Sequence, residues 1–236
     1  APTDIILSAE KCNLKCPSCR TDFMVDEQIS KKDIEKLLIK RKALFSNAKQ
    51  LVFGYTGEFT LNEANVNFIQ TAKRGDVPNL ESIVIQTNGV LFTQSFYQKI
   101  SEYMKQKIHR IEFSMDAATE ETYNQNRLGG EWNKVINNLK YLSIHRNFVL
   151  QINFLVQNNN FKEIPMIIDM AKKLGANVNF QQIKNWGTFS KEEFLKRNVF
   201  SPEHENHREF LDIVKINIPG RDNIGCEFNE DIIKKL

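Results

Sequence analysis

Three of the four cysteines fall within eight positions, in the run Cys12-Asn13-Leu14-Lys15-Cys16-Pro17-Ser18-Cys19. Thiolates ligate both iron–sulfur clusters and zinc, and tight spacing lets one loop wrap a metal centre without a long-range closure cost. Three thiolates leave one iron of a four-iron cube without a protein ligand, and an open iron is where a substrate or cofactor binds. Zinc requires a fourth ligand, yet His109, His145, His204 and His207 are all distant in sequence. Thiols that pack as small hydrophobes suit scattered positions better than a loop beside Lys15, Pro17 and Ser18. A disulfide scaffold belongs to short, loop-rich chains, whereas this one has 236 residues and 17 phenylalanines. A cluster on Cys12, Cys16 and Cys19 is the leading expectation. Cys226 stands apart and reads by itself as a free thiol.

Strand-length apolar runs alternate with amphipathic stretches of helix length. Strands are expected at Ile5–Ser8, Gln50–Gly54, Ser82–Gln86, Arg110–Ser114, Val149–Phe154 and Val178–Gln182. Helices are expected near Lys31–Phe45, Glu63–Lys73, Gln94–Lys105, Glu131–Ile144 and Phe161–Leu174. Ser30 serves as a helix N-cap and Gly175 as a C-terminal stop. Repeated strand–helix units imply a parallel sheet with right-handed crossovers. Six units fall short of a closed eight-stranded barrel, and periodicity alone leaves a doubly wound sheet open.

Parallel α/β folds place their sites at the carboxyl ends of strands, and the polar residues collect there. The first strand runs into the cysteine loop and the second into Gly54-Tyr55-Thr56-Gly57-Glu58. The third runs into Gln86-Thr87-Asn88-Gly89 and the fourth into Ser114-Met115-Asp116.

Cys-x3-Cys-x2-Cys after a first strand resembles the signature of the radical SAM superfamily. The resemblance extends over 1–182 and includes Gly57-Glu58, Thr87-Asn88-Gly89 and Ser114-Met115-Asp116-Ala117-Ala118. The segment Thr122 to Arg127 and the pair Gly129-Gly130 resemble the branch of molybdopterin-precursor synthases, sulfatase-maturing enzymes and SPASM proteins. Ser18 stands where an aromatic residue is common, and Phe59 where a proline often follows the glycine-glutamate pair. The resemblance implies a partial (β/α)6 TIM-like barrel over 1–183 and a C-terminal extension over 184–236, the start of a SPASM-like auxiliary region in which Cys226 is the first of a further set of cluster cysteines in a longer chain. It implies an oxygen-sensitive [4Fe–4S] cluster on Cys12, Cys16 and Cys19 that cleaves S-adenosylmethionine (SAM) to a 5′-deoxyadenosyl radical.

SAM contacts are implied at Gly57, Glu58, Asn88, Ser114, Asp116 and Arg127. Glu58 adds charge opposite the methionine ammonium, or is simply an exposed loop carboxylate. Ser114 and Asp116 meet the ribose. Asn88 contacts the ribose or carboxylate, or merely forms a turn with Gly89. Arg127 pairs bidentately with the SAM carboxylate, or forms a surface salt bridge. Implied partners are a flavodoxin- or ferredoxin-like one-electron reductant and a peptide or small-molecule substrate. No residue is singled out as catalytic.

Composition removes other classes. With a formal net charge of +3, and with acids interspersed through the Lys-rich stretch 31–49, the sequence carries no nucleic-acid footprint. No apolar run approaches a membrane span and no signal peptide is recognisable, so no membrane partner and a cytoplasmic location are expected. Two rivals share the cysteine loop: an iron–sulfur electron carrier, which needs no polar series at the strand ends, and a zinc-stabilised binding module.

Overall fold

The computed structural model describes residues 3–9, 11–19 and 45–234. The helix expected near Lys31–Phe45, with its cap at Ser30, lies outside the described residues except for its last position. The strands are β1 (Thr3–Leu7), β2 (Ala48–Phe53), β3 (Ser82–Thr87), β4 (Ile108–Ser114), β5 (Val149–Val156), β6 (Asn177–Gln182) and β7 (Ile224–Glu227). They follow chain order in a seven-stranded, all-parallel sheet that does not close on itself, as in a partial TIM-like barrel.

The described helices are α1 (Glu63–Thr71), α2 (Gln94–Lys99), α3 (Glu102–Lys107), α4 (Glu120–Asn126), α5 (Trp132–Ile144), α6 (Ile164–Leu174), α7 (Lys191–Arg197), α8 (His207–Asn217) and α9 (Glu230–Ile233). Two departures from expectation have local causes. The single helix expected over 94–105 is broken at Ser101, whose hydroxyl caps α3 by accepting from the Met104 amide and itself donates to the Ala72 carbonyl. A seventh strand, β7, lies in the segment expected as an extension and pairs with β6 from Val178↔Ile224 to Gln181↔Glu227. Its sequence, Ile-Gly-Cys-Glu, has no apolar run to announce it.

The residues cluster into two compact units, one within Ala1–Asn13, Asp22–Phe113 and Lys134–Val149, the other within Leu14–Thr21, Ser114–Asn133 and Leu150–Leu236. Each has its own aromatic core. In the first, Phe59 lies 5.7 Å from Phe53 and 6.0 Å from Phe92 between ring centroids, and Phe92 lies 6.3 Å from Phe113. In the second, Phe154 meets Phe180 at 5.6 Å, and Phe200 meets Phe210 at 4.7 Å and Phe228 at 5.0 Å. Large buried rings contribute much of the apolar burial that holds such cores, which accounts for the phenylalanine count. α6 ends as expected at Gly175, which adopts a left-handed φ of 58°.

Candidate functional site

In the first unit the ends of β2 and β3 converge on the front of the cysteine loop. Gly57 has a φ of +68°, and a side-chain carbon there would fall 2.2 Å from the Ala9 carbonyl oxygen and 2.6 Å from that of Lys11. Only glycine lets the two loops approach this closely. The Glu58 amide then donates to the Lys11 carbonyl at 2.7 Å, and the Ala9 amide to the Thr56 carbonyl at 3.0 Å.

Glu58 is 1% exposed, so it is not an exposed loop carboxylate. It accepts from the Thr87 hydroxyl at 2.9 Å, the Asn88 amide at 2.7 Å and the Thr60 hydroxyl at 2.9 Å. Burial pushes its carboxyl above the ordinary value, against these hydrogen bonds. Glu58 therefore ties the β2 loop to the β3 end. Asn88 extends that tie to the cysteines: its side-chain Nδ2 donates to Asn13 Oδ1 at 2.8 Å and lies 3.7 Å from Cys12 Sγ. Its Oδ1 accepts from the Val90 amide at 3.0 Å, which forms the expected turn.

In the second unit Asp116 meets Arg127, the C-cap of α4. Ser114 ends β4, half-buried. Asp116 has a left-handed φ of 55°, a conformation that asparagine and aspartate tolerate better than most residues. Its carboxylate lies 2.7 Å from Arg127 Nη2 and accepts from the Leu155 amide at 2.7 Å. Asp116 is buried and Arg127 largely shielded, with side chains 3% and 15% exposed, so the surface-bridge alternative does not apply. Burial works against both charges. For Arg127, the Asp116 carboxylate and Cys16 outweigh it and hold the guanidinium above its ordinary value. For Asp116, burial pushes the carboxyl up, while Arg127 and the Leu155 amide pull it down. Arg127 Nη1 lies 3.7 Å from Cys16 Sγ, and the Lys15 amide donates to the Leu128 carbonyl at 2.9 Å. Cys16 is buried and Cys19 exposed.

Sequence reasoning missed the polar bracing behind this arrangement. Asn126 and Asn160 both donate to the Asp116 carbonyl, at 2.8 and 2.9 Å. Asn126 in turn accepts from Gln157 and Asn159, each at 2.9 Å. Glu163 accepts from the Ala118 amide and the Thr119 and Thr122 hydroxyls, each at 2.6 Å. The signal was present: Gln157-Asn158-Asn159-Asn160 directly follows β5, the same strand-end position that drew attention in the first four strands.

Among the described residues, no three His, Cys, Asp or Glu side chains are gathered as a metal site. The chemistry of the surroundings nevertheless fits anionic sulfur. Cys12 and Cys16 each have an N–H donor aimed at the sulfur, and hydrogen bonds to sulfur are among the features that tune iron–sulfur clusters. Among the described residues, Arg127 Nε and the Tyr123 hydroxyl are buried with no hydrogen-bond partner.

A family model for the radical SAM superfamily matches residues 6–171. The probable GTP 3′,8-cyclase of Methanocaldococcus jannaschii is 26% identical over 175 residues, 70% of this chain and 53% of that protein. The GTP 3′,8-cyclase of Clostridium perfringens is 25% identical over 179 residues, 74% of this chain and 53% of that one. The chain thus spans about half the length of the curated relatives it matches. Among solved structures, Streptococcus suis SuiB bound to its precursor peptide SuiA superposes with a TM-score of 0.69 at 17% identity, over 97% of this chain and 49% of that one. AdoMet-bound anSMEcpe superposes at 0.60 with 22% identity, over 78% and 50%. These likenesses establish a shared fold. The family match covers well over half of the sequence, and this chain belongs to the radical SAM superfamily.

Proposed function

We propose that this protein is a radical SAM enzyme in which Cys12, Cys16 and Cys19 hold a [4Fe–4S] cluster, SAM is reductively cleaved, and the 5′-deoxyadenosyl radical removes hydrogen from a peptide or small-molecule C–H bond. Membership of the superfamily brings both cofactors, and SuiB has been solved with S-adenosylmethionine bound. A cluster held by Cys12, Cys16 and Cys19 would supply the one-electron reduction that cleaves the sulfonium C–S bond of SAM, the electron coming from a flavodoxin- or ferredoxin-like donor. The residues of this chain bind, orient and exclude water, since the cofactor supplies the hard step.

The observation that carries this reading is the pair of N–H donors on two of the three motif cysteines, Asn88 on Cys12 and Arg127 on Cys16. In this reading the residues expected to meet SAM take different roles. The side chains of Glu58, Asn88 and Asp116 are already committed, so in this reading they hold the loops. The backbone of the Gly57 loop, the Ser114 hydroxyl and Arg127 Nε remain for the cofactors. The substrate stays a peptide or a small molecule, because the relatives named above are GTP cyclases while a structural neighbour holds a peptide.

Anaerobically reconstituted protein, given dithionite and SAM, is expected to release 5′-deoxyadenosine, measured by chromatography. A coloured protein that makes none is an electron carrier instead, and a colourless one that retains zinc is a zinc module.

A further inference from the structure

Tyr123, in the middle of α4, is fully buried, and its hydroxyl has no hydrogen-bond partner among the described residues. Buried polar groups are nearly always paired, and a phenylalanine would fill the same space without leaving a donor unmade. The ring is firmly held: it packs on Trp132 at 5.5 Å between centroids, and the Tyr123 carbonyl accepts from the Arg127 amide at 2.7 Å. Room for the hydroxyl comes from Gly130, where a side-chain carbon would fall 2.5 Å from the hydroxyl oxygen and 2.6 Å from Cε1. The chain thus keeps both a buried hydroxyl and the space it needs.

Arg127 lies one helical turn further on and repeats the pattern. Nη2 is used by Asp116 and Nη1 faces Cys16, while Nε is buried and has no partner among the described residues. Burial pushes the Tyr123 hydroxyl above its ordinary value, with Arg127 pulling it down and Cys16 and Asp116 pushing it further up. Two buried donors without acceptors thus lie one helical turn apart, the second on the guanidinium that reaches Cys16 through Nη1, and an anionic group carried on that cysteine would give them acceptors.

We propose that the Tyr123 hydroxyl and Arg127 Nε donate hydrogen bonds to the sulfur of the cluster borne by Cys16, and that Gly130 keeps the hydroxyl within reach. The inference rests on the cluster assignment. Reduction adds negative charge to the cluster, so donors on its sulfur favour the reduced form, and removing one makes reduction harder.

The test is a redox titration followed by electron paramagnetic resonance, without SAM, on reconstituted wild type, Tyr123→Phe and Gly130→Ala. Tyr123→Phe keeps the ring packing and loses only the hydroxyl; Gly130→Ala keeps the hydroxyl and pushes it aside. Both variants are expected to hold wild-type iron per chain, to melt as folded apo proteins, and to show a lower midpoint potential than wild type. A Tyr123→Phe cluster with the wild-type potential overturns the inference, whether the hydroxyl is merely structural or serves the SAM carboxylate; the latter would appear as weakened SAM binding alone. If Tyr123→Phe does not fold, the Gly130→Ala potential decides in the same way. A wild-type chain that takes up no cluster defeats the cluster assignment itself and this inference with it.

Discussion

Replacing Cys12, Cys16 and Cys19 together with alanine is expected to abolish the broad visible absorbance after anaerobic reconstitution and to reduce iron per chain to background. Alanine offers iron no donor, and the neighbouring N–H groups of Asn88 and Arg127 point at sulfur and cannot ligate metal themselves. The loss should not be a folding artefact. Cys19 is exposed, Cys12 half-buried and only Cys16 buried, while the two aromatic cores are built elsewhere. The apo variant should therefore keep the wild-type circular dichroism spectrum and melt cooperatively. A variant that retains the band would mean that other residues bind the cluster.

Asp116→Ala is expected to be the most destabilising single replacement at the site. The carboxylate neutralises a buried guanidinium at 2.7 Å and accepts the Leu155 amide. Removing it leaves Arg127 charged and unpaired in the interior, a loss of about 3–5 kcal/mol, and places alanine in a left-handed conformation that it disfavours. Asp116→Asn keeps the backbone preference and an acceptor for the Leu155 amide while giving up only the charge, so its loss should be smaller. Urea denaturation of the apo proteins measures both. Equal, small shifts would show that the pair is not what holds the α4 end in place.

The sequence made the site more legible than its bracing. Cysteine spacing and the polar residues at four successive strand ends pointed to segments that carry hydrogen bonds within each unit, the β2 and β3 ends with Cys12 in one and Asp116 and Arg127 with Cys16 in the other, because the rule that places sites at the carboxyl ends of parallel strands follows from topology alone. What individual side chains do there was not legible. Glu58 reads in sequence as a carboxylate free to meet a ligand, yet Thr60, Thr87 and Asn88 occupy it. Asp116 and Arg127 read as two separate SAM contacts, eleven positions apart, and only the left-handed turn at Asp116 and the C-cap of α4 bring them into one ion pair. β7 escaped notice because a four-residue strand with glycine at its second position has neither an apolar run nor a clear alternation. The break at Ser101 was hidden because an amphipathic pattern continues across it, while the capping hydroxyl and its bond to the Ala72 carbonyl depend on the neighbouring helix.

The central claim is that the cysteine loop carries a four-iron cluster with one iron left open for SAM. The most direct test is electron paramagnetic resonance of the dithionite-reduced, reconstituted protein, recorded with and without SAM. The account predicts a [4Fe–4S] signal in both samples, with g-values that move when SAM is added. A signal that SAM leaves unchanged, or no cluster signal in protein with a full complement of zinc, would contradict it.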